Sequence, residues 1–294
     1  MDAFFSVAAL YRFAPLEGLE ALRAKLLAFA AEHGIKGTLI LAQEGINGTV
    51  SAPSREALEG LLTFLGETEP ALAGLEAKWS EAGAEPFRRF KARIKREIVT
   101  MGVPGIDAAR DAGETVEPAE WNRLVSDPET VVIDTRNAYE VALGTFPGAL
   151  DPATESFREF PGWAEANRER LAGKRVAMFC TGGIRCEKAT AFVKGLGVEE
   201  VYHLHGGILR YLEEVPADQS LWSGECFVFD ERAGLGVGLV QGEATLCRAC
   251  GRALTPQDRL SPDYREGVSC GACVGEHSDA DRLRFAERQR QSEG

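Results

Sequence analysis

The sequence predicts a chain of mixed α/β and α+β class made of three blocks. Strand and helix signals over residues 1–100 follow the order βαββαβ. Short apolar runs alternate with helical patterns over residues 110–222. Two CxxC pairs lie close together in the glycine-rich stretch 223–294. These features imply a ferredoxin-like sandwich, a parallel-sheet α/β domain and a small four-cysteine module.

Each element has its own signal. FFSVAALYRF alternates as a strand, and EGLEALRAKLLAFAAEHG has helical spacing and a glycine stop. KGTLILAQEGINGTVSA reads as two strands around a tight turn, with Asn47-Gly48 as a type I′ pair. SREALEGLLTFLGE is a helix with Ser54 as its N-cap, and GLEAKWSEA and RRFKARIKREIV are strands. In the middle block, TVEPAEWNRLVSD is a short helix and TVVIDTR a buried strand with Asp134 near its end. FREFPGWAEANRERLAG is helical, RVAMFC is a second buried strand, CEKATAFVKGLG a helix and VYHLHGG a third strand. Sites in such sheets form at the carboxyl ends of the strands, where Cys180 lies.

Composition narrows the class. The 294 residues are 45% hydrophobic and 27% charged, as in an ordinary globular protein. A net charge of −12, concentrated in the middle block, excludes a generic nucleic-acid coating protein. The N-terminus has no basic region ahead of its apolar residues, and no apolar run approaches the roughly 18 residues of a membrane span. The expected location is the cytoplasm. Thiols stay reduced there, so the seven cysteines are expected to be reactive thiols, metal ligands or core residues.

The stretch VAMFCTGGIRCEKATAFV carries the chemistry. A strand ends in Cys180, two glycines follow, and a helix starts beyond Arg185. The thiolate is the nucleophile. A turn into a helix N-terminus aims backbone N–H groups and a partial positive charge at one spot. Gly182 and Gly183 let the backbone approach the sulfur, and Arg185 adds a fixed charge. Such a cradle lowers the pKa of Cys180 and suits a persulfide anion. The plain alternative is a buried cysteine that only packs. The spacing C-x4-R is one residue shorter than the C-x5-R of cysteine phosphatases, so the loop fits a sulfur atom better than a phosphate.

TVVIDTRNAYEVALGTFPGA, CTGGIRCEKAT and VYHLHGGI resemble the rhodanese domain, in which the loop cysteine carries a persulfide. The turn Gly144-Thr145-Phe146-Pro147-Gly148-Ala149 departs from that domain's usual Gly-His-Ile-Pro-Gly-Ala and is assigned to packing. LAQEGINGTVS, KREIVTMG, CTGGIRCEKAT, SLWSGECFVFDER and the CxxC pairs, in this order, resemble a wider bacterial family. That family is the rhodanese-containing tRNA uridine-34 5-hydroxylases, which make 5-hydroxyuridine in the anticodon with molecular oxygen. The resemblance implies an acylphosphatase-like domain over 1–100 and a rhodanese domain over 110–222. It also implies tRNA as substrate, O2 as co-substrate and Cys180 as the essential residue. Two alternatives stay open: a sulfurtransferase passing persulfide sulfur to tRNA or a partner protein, and a non-catalytic zinc-containing tRNA-binding or scaffold protein.

Other residues are weighed singly. Arg89, Lys91, Arg93 and Lys95 alternate with apolar residues, so a strand there has one cationic face. By themselves they read as charge protecting an edge strand. The family resemblance turns them into a tRNA-contacting surface. Glu44 and Asn47 belong to a turn and receive no role. Cys186 is read as packing under the loop, with a resolving thiol as the alternative. His203 and His205 share a face without a third ligand, and Cys226 is a core residue. Cys247, Cys250, Cys270 and Cys273 have the spacing of a structural zinc site, and four thiolates leave no open position for substrate. No glycine fingerprint for a nucleotide and no 2-His-1-carboxylate set is present, so neither flavin nor redox metal is expected. Cys180 or its persulfide adding at C6 of uracil, and a persulfide supplying reducing equivalents, both remain open. The tail HSDADRLRFAERQRQSEG is expected to be mobile or marginally helical.

Overall fold

The computed structural model describes residues 4–293. The first domain contains β1 (Phe5–Phe13), α1 (Leu19–Glu32), β2 (Lys36–Ala42), β3 (Gly45–Ala52), α2 (Arg55–Thr68), β4 (Ala77–Ala82) and β5 (Phe90–Ile94). Its sheet has the order β4-β1-β3-β2-β5. The first four positions are those of a ferredoxin-like sandwich. β5 extends the sheet by pairing parallel to β2. Leu22 and Leu26 of α1 and Leu58, Leu61 and Leu65 of α2 are buried against Leu10, Leu39, Leu41 and Val50 of the sheet. Ser54 caps α2, its hydroxyl accepting from the Ala57 N–H at 3.4 Å.

Asn47-Gly48 does not form the hairpin turn. The chain reverses at Gln43-Glu44, and Asn47 and Gly48 lie within β3, paired to Tyr11 and Leu10 on one side and to Ile40 and Leu39 on the other. A central strand flanked this closely needs the missing side chain: a Cβ on Gly48 would stand 2.0 Å from the Thr38 carbonyl oxygen.

The second domain runs from α3 (Ala108–Asp111) and β6 (Glu114–Val116) through α4 (Pro118–Val125), β7 (Thr130–Asp134), α5 (Ala138–Val141) and β8 (Gly144–Thr145). It continues with α6 (Phe160–Ala166), α7 (Arg168–Leu171), β9 (Arg175–Phe179), α8 (Ile184–Gly195), β10 (Val201–Leu204) and α9 (Gly207–Glu214). The sheet is parallel in the order β6-β10-β9-β7. β6 is absent from the sequence reading, which starts the α4 helix at its residues. Three residues are too few to show alternation, and only pairing with Tyr202–Leu204 makes them a strand.

The rest of the chain holds β11 (Ser223–Gly224), β12 (Cys226–Phe227), β13 (Gly234–Leu235), β14 (Thr245–Leu246), β15 (Ala253–Leu254) and α10 (Asp279–Glu293). β11 pairs with β8, and Cys226, Val228, Leu235 and Leu239 pack into the core beside Phe146 and Phe179. The tail expected to be mobile or marginally helical is the helix α10. Arg282 and Arg288 anchor it by donating to the Val274 and Arg248 carbonyls.

Buried polar groups join the domains. The Lys188 ammonium of α8 donates to Glu44 (2.8 Å), Glu97 (2.8 Å) and the Val99 carbonyl (3.1 Å). Arg232, paired with Asp230 (2.6 Å), reaches Ser80 Oγ of β4 at 2.7 Å. Lys188→Met leaves two carboxylates facing each other without their cation. The loss expected is on the order of 2–3 kcal/mol, below the full cost of a wholly buried pair because both carboxylates are partly exposed. It is read as a fall in denaturant midpoint. An unchanged midpoint refutes the role.

Candidate active site

Cys180 follows β9 directly and is fully buried. The chain then turns through Thr181, Gly182 and Gly183 into α8. The Gly183 N–H donates to Cys180 Sγ at 3.1 Å. Gly183 has φ +101°, and a Cβ there would stand 2.8 Å from the Tyr11 hydroxyl. Only glycine suits that position. Gly182 has an ordinary φ and open space where its Cβ would be, so the turn itself does not require glycine there.

Arg185 is buried, and its hydrogen bonds go to other groups than the sulfur. Its guanidinium grips Glu140 of α5 with two bonds of 2.6 and 2.8 Å and donates to Thr181 Oγ1 at 3.2 Å. Glu140 is held in turn by a capping box, accepting from the Asn137 N–H at 3.1 Å. Burial pushes Glu140 up, but the charge and hydrogen bonds of Arg185 outweigh it and keep the carboxyl below its usual range. A second buried pair lies behind this one. Arg136 donates to Asp134 at 2.6 and 2.9 Å, and Asp134 also accepts from Thr145 Oγ1 at 2.9 Å.

Burial alone pushes the Cys180 thiol up. The Cys186 thiol, the Arg185 charge and the Cys186 and Gly183 N–H groups outweigh burial and bring it down to about 5. Cys186, buried in the first turn of α8, moves the other way, because burial and the neighbouring Cys180 anion both disfavour its thiolate. Thr135 Oγ1 lies 3.5 Å from Cys186 Sγ. The turn thus favours the thiolate at Cys180, while burial and that neighbour favour the thiol at Cys186.

The loop forms one wall of a cavity of about 630 Å³. Tyr11, Asn47, Lys78 and Trp79 of the first domain also line it, and Val228, Phe229, Asp230, Arg232, Leu235 and Leu239 contribute a further side. Glu44 and Asn47 shape the cavity by pinning residue 98. Glu44 accepts from the Ile98 N–H at 2.7 Å, and Asn47 Nδ2 donates to the Ile98 carbonyl at 2.9 Å.

Arg93 is exposed and Lys91 half-buried on the edge strand β5, Arg89 and Lys95 are exposed at its two ends, and Ala92 is buried. Among the described residues no ion pair engages any of these four cations. Lys95 also lines the cavity. His203 and His205 form no metal set. His203 is buried against Thr115 Oγ1 at 3.3 Å, and burial, with His205 nearby, lowers it to about 4. His205 Nδ1 bonds Glu117 at 2.6 Å. Burial pushes the Cys226 thiol up to about 12.

Cys247, Cys250, Cys270 and Cys273 converge, with all four sulfurs within 4.8 Å of one another. The separations Cys247–Cys273, Cys250–Cys270 and Cys270–Cys273 are 3.9, 3.8 and 3.7 Å. A tetrahedron with metal–sulfur bonds of about 2.3 Å has edges of about 3.8 Å. The donor set thus fits a four-thiolate metal ion.

The sequence reading missed Tyr11, Lys78 and Glu140. Glu140 had a local signal, the Asn-x-x-Glu capping pattern. Tyr11 and Lys78 are ordinary strand residues, and only the docking of the first domain on the loop brings them here.

Because the folded state holds the Cys180 anion below the ordinary thiol pKa, that stabilisation is complete above the ordinary value and is lost as pH falls through about 5. Ultraviolet thiolate absorbance of wild type minus that of Cys180→Ser is expected to titrate near pH 5. A midpoint near the ordinary value of about 8.5 would show that the turn does not hold the anion.

The comparisons agree with this architecture. The UPF0176 acylphosphatase like domain matches residues 5–98, and the Rhodanese-like domain matches residues 117–214. A tRNA uridine(34) hydroxylase of Mesorhizobium japonicum is 63% identical over 287 residues, covering 98% of this chain and 92% of the relative. The tRNA uridine(34) hydroxylase of Brucella ovis is 60% identical over 98% of this chain and 93% of its own. A rhodanese-related protein of Thermoplasma volcanium, known by crystal structure, is 20% identical with a TM-score of 0.29, over 34% of this chain and 92% of that one. Two domain matches in this order, with relatives of this identity over nearly the full length, place the chain in the tRNA uridine(34) hydroxylase family.

Proposed function

We propose that this protein hydroxylates C5 of the wobble uridine at position 34 of tRNA, with O2 as co-substrate and Cys180 as the essential thiol. The observation that carries the reading is Cys180 on the wall of a cavity of about 630 Å³, with the Gly183 N–H directed at its sulfur and surroundings that bring its thiol down to about 5. That volume lies within the roughly 300–1,000 Å³ of small-molecule sites, enough for a base turned out of its stack. A thiolate is the nucleophile needed for addition to C6 of a pyrimidine. The Gly183 N–H, directed at the sulfur, would serve a persulfide anion in the same way, so a sulfurtransferase differs by its product and not by its cradle.

Glu140 fixes Arg185, and through Thr181 this pair fixes the loop. Arg185 acts on the sulfur by its charge and not by a hydrogen bond. The cations of β5 supply phosphate contacts for the anticodon arm, and Lys95 connects that edge to the cavity. Structural zinc at the four cysteines would staple a segment with few large buried side chains. Among the described residues no helix is long and apolar enough to cross a membrane. A cytoplasmic location follows from the tRNA substrate.

Nucleoside mass spectrometry of tRNA from a deletion strain tests the reaction. Wild type is expected to restore 5-hydroxyuridine and its derivatives, and Cys180→Ser is not. A thiolated nucleoside that depends on Cys180 would instead establish a sulfur carrier, and no change in any nucleoside would remove tRNA as substrate. Elemental analysis is expected to find one zinc per chain in wild type and its loss in Cys250→Ser, with unchanged occupancy in that variant counting against the site.

A further inference from the structure

Two lysines are drawn into the interface between the first domain and the cysteine loop, and their surroundings differ. Lys188 is 3% exposed and has three oxygen acceptors. Lys78, on β4, lines the same cavity as Cys180. Among the described residues no carboxylate, carbonyl or hydroxyl bonds its ammonium. Its one close partner is the face of Tyr11, with Nζ 4.9 Å from the ring centroid. The Tyr11 ring is itself fixed by a 2.7 Å hydrogen bond from its hydroxyl to Glu187 of α8. A partly desolvated cation with no hydrogen-bonded acceptor is costly in a finished fold. It is what a site uses to meet negative charge that appears only during reaction.

We propose that Lys78 is a catalytic residue contributed by the acylphosphatase-like domain, its ammonium binding O4 of the uracil as Cys180 adds to the ring. The inference rests on the hydroxylase reading and deepens it. In the step concerned the Cys180 sulfur forms a bond to C6, and the C5–C6 π pair moves through C4 onto O4. The thiolate charge becomes enolate charge, and no proton or electron is gained or lost. Cys180 and Lys78 line one cavity from different domains, so neither domain alone holds the complete site. Tyr11 is a positioning residue: its ring carries the ammonium, and Glu187 holds the ring.

The groups facing Lys78 are Tyr11 of β1, Glu76 next to β4, Cys180, Glu187 of α8 and Arg210 of α9. Burial, foremost, and Arg210 lower the lysine; Cys180, Glu187 and Glu76 oppose them without restoring it. The reaction then needs Cys180 deprotonated and Lys78 protonated, which makes the basic limb of the rate profile belong to Lys78.

The test uses the full-length protein, tRNA from the deletion strain and air-saturated buffer, with 5-hydroxyuridine measured by mass spectrometry. Lys78→Met is expected to lower kcat roughly 100-fold with little change in KM for tRNA, as for loss of one oxyanion donor. Lys78→Arg is expected to recover much of the rate and to carry the basic limb of kcat/KM to higher pH, because arginine stays charged. Wild-type kcat in Lys78→Met, a loss confined to KM, or an unmoved basic limb in Lys78→Arg each overturns the assignment. If Lys78→Met fails to fold, the Lys78→Arg profile decides alone. If wild type forms no 5-hydroxyuridine, the hydroxylase reading falls and this assignment falls with it.

Discussion

A fully buried sulfur anion depends on the groups built around it. Cys180 is fully buried, and burial by itself would return its proton. The turn into α8 prevents this with two backbone N–H groups, the Cys186 thiol and a nearby guanidinium. Each of these needs its own support. Gly183 must adopt a positive φ for its N–H to face the sulfur. Arg185 must be matched by Glu140, since an unpaired guanidinium at that depth would cost several kcal/mol. Glu140 must be fixed by the capping box of α5. The chain of dependence runs from a helix cap to the charge state of one atom.

The first domain is bound to this arrangement through polar contacts rather than through a large shared apolar core. Lys188, about one turn into α8, is held by Glu44 and Glu97, and Tyr11 is held by Glu187 of the same helix. The helix that organises the thiolate is thus also the helix on which the ferredoxin-like sheet docks. The cavity exists because of that docking. Its three sides come from β1 and β4, from the cysteine loop, and from the segment after β11.

The two clusters of cysteine in the chain solve opposite problems. At Cys180 and Cys186 the surroundings differ enough to favour the thiolate at the first and the thiol at the second. At Cys247, Cys250, Cys270 and Cys273 the four sulfurs lie within 4.8 Å of one another, three of the separations being 3.7 to 3.9 Å, a set that fits a shared ion. One pair is arranged for reactivity, the other set for coordination.

Local sequence determined what is local in physics. The alternation of β1, the cap at Ser54, the strand ending in Cys180, the turn into α8 and the CxxC spacings all act over a few residues, and all are legible in order along the chain. Asn47-Gly48 misled, because a pair well suited to a turn is also what a central strand uses where two neighbours leave no room for a side chain. β6 was hidden because three residues become a strand only through their partner. Tertiary structure alone decided that Arg185 turns to Glu140 instead of the sulfur, and that Tyr11 and Lys78 face a loop more than a hundred residues later. Those contacts depend on how two domains pack, and no period or spacing along the sequence encodes a distance across an interface.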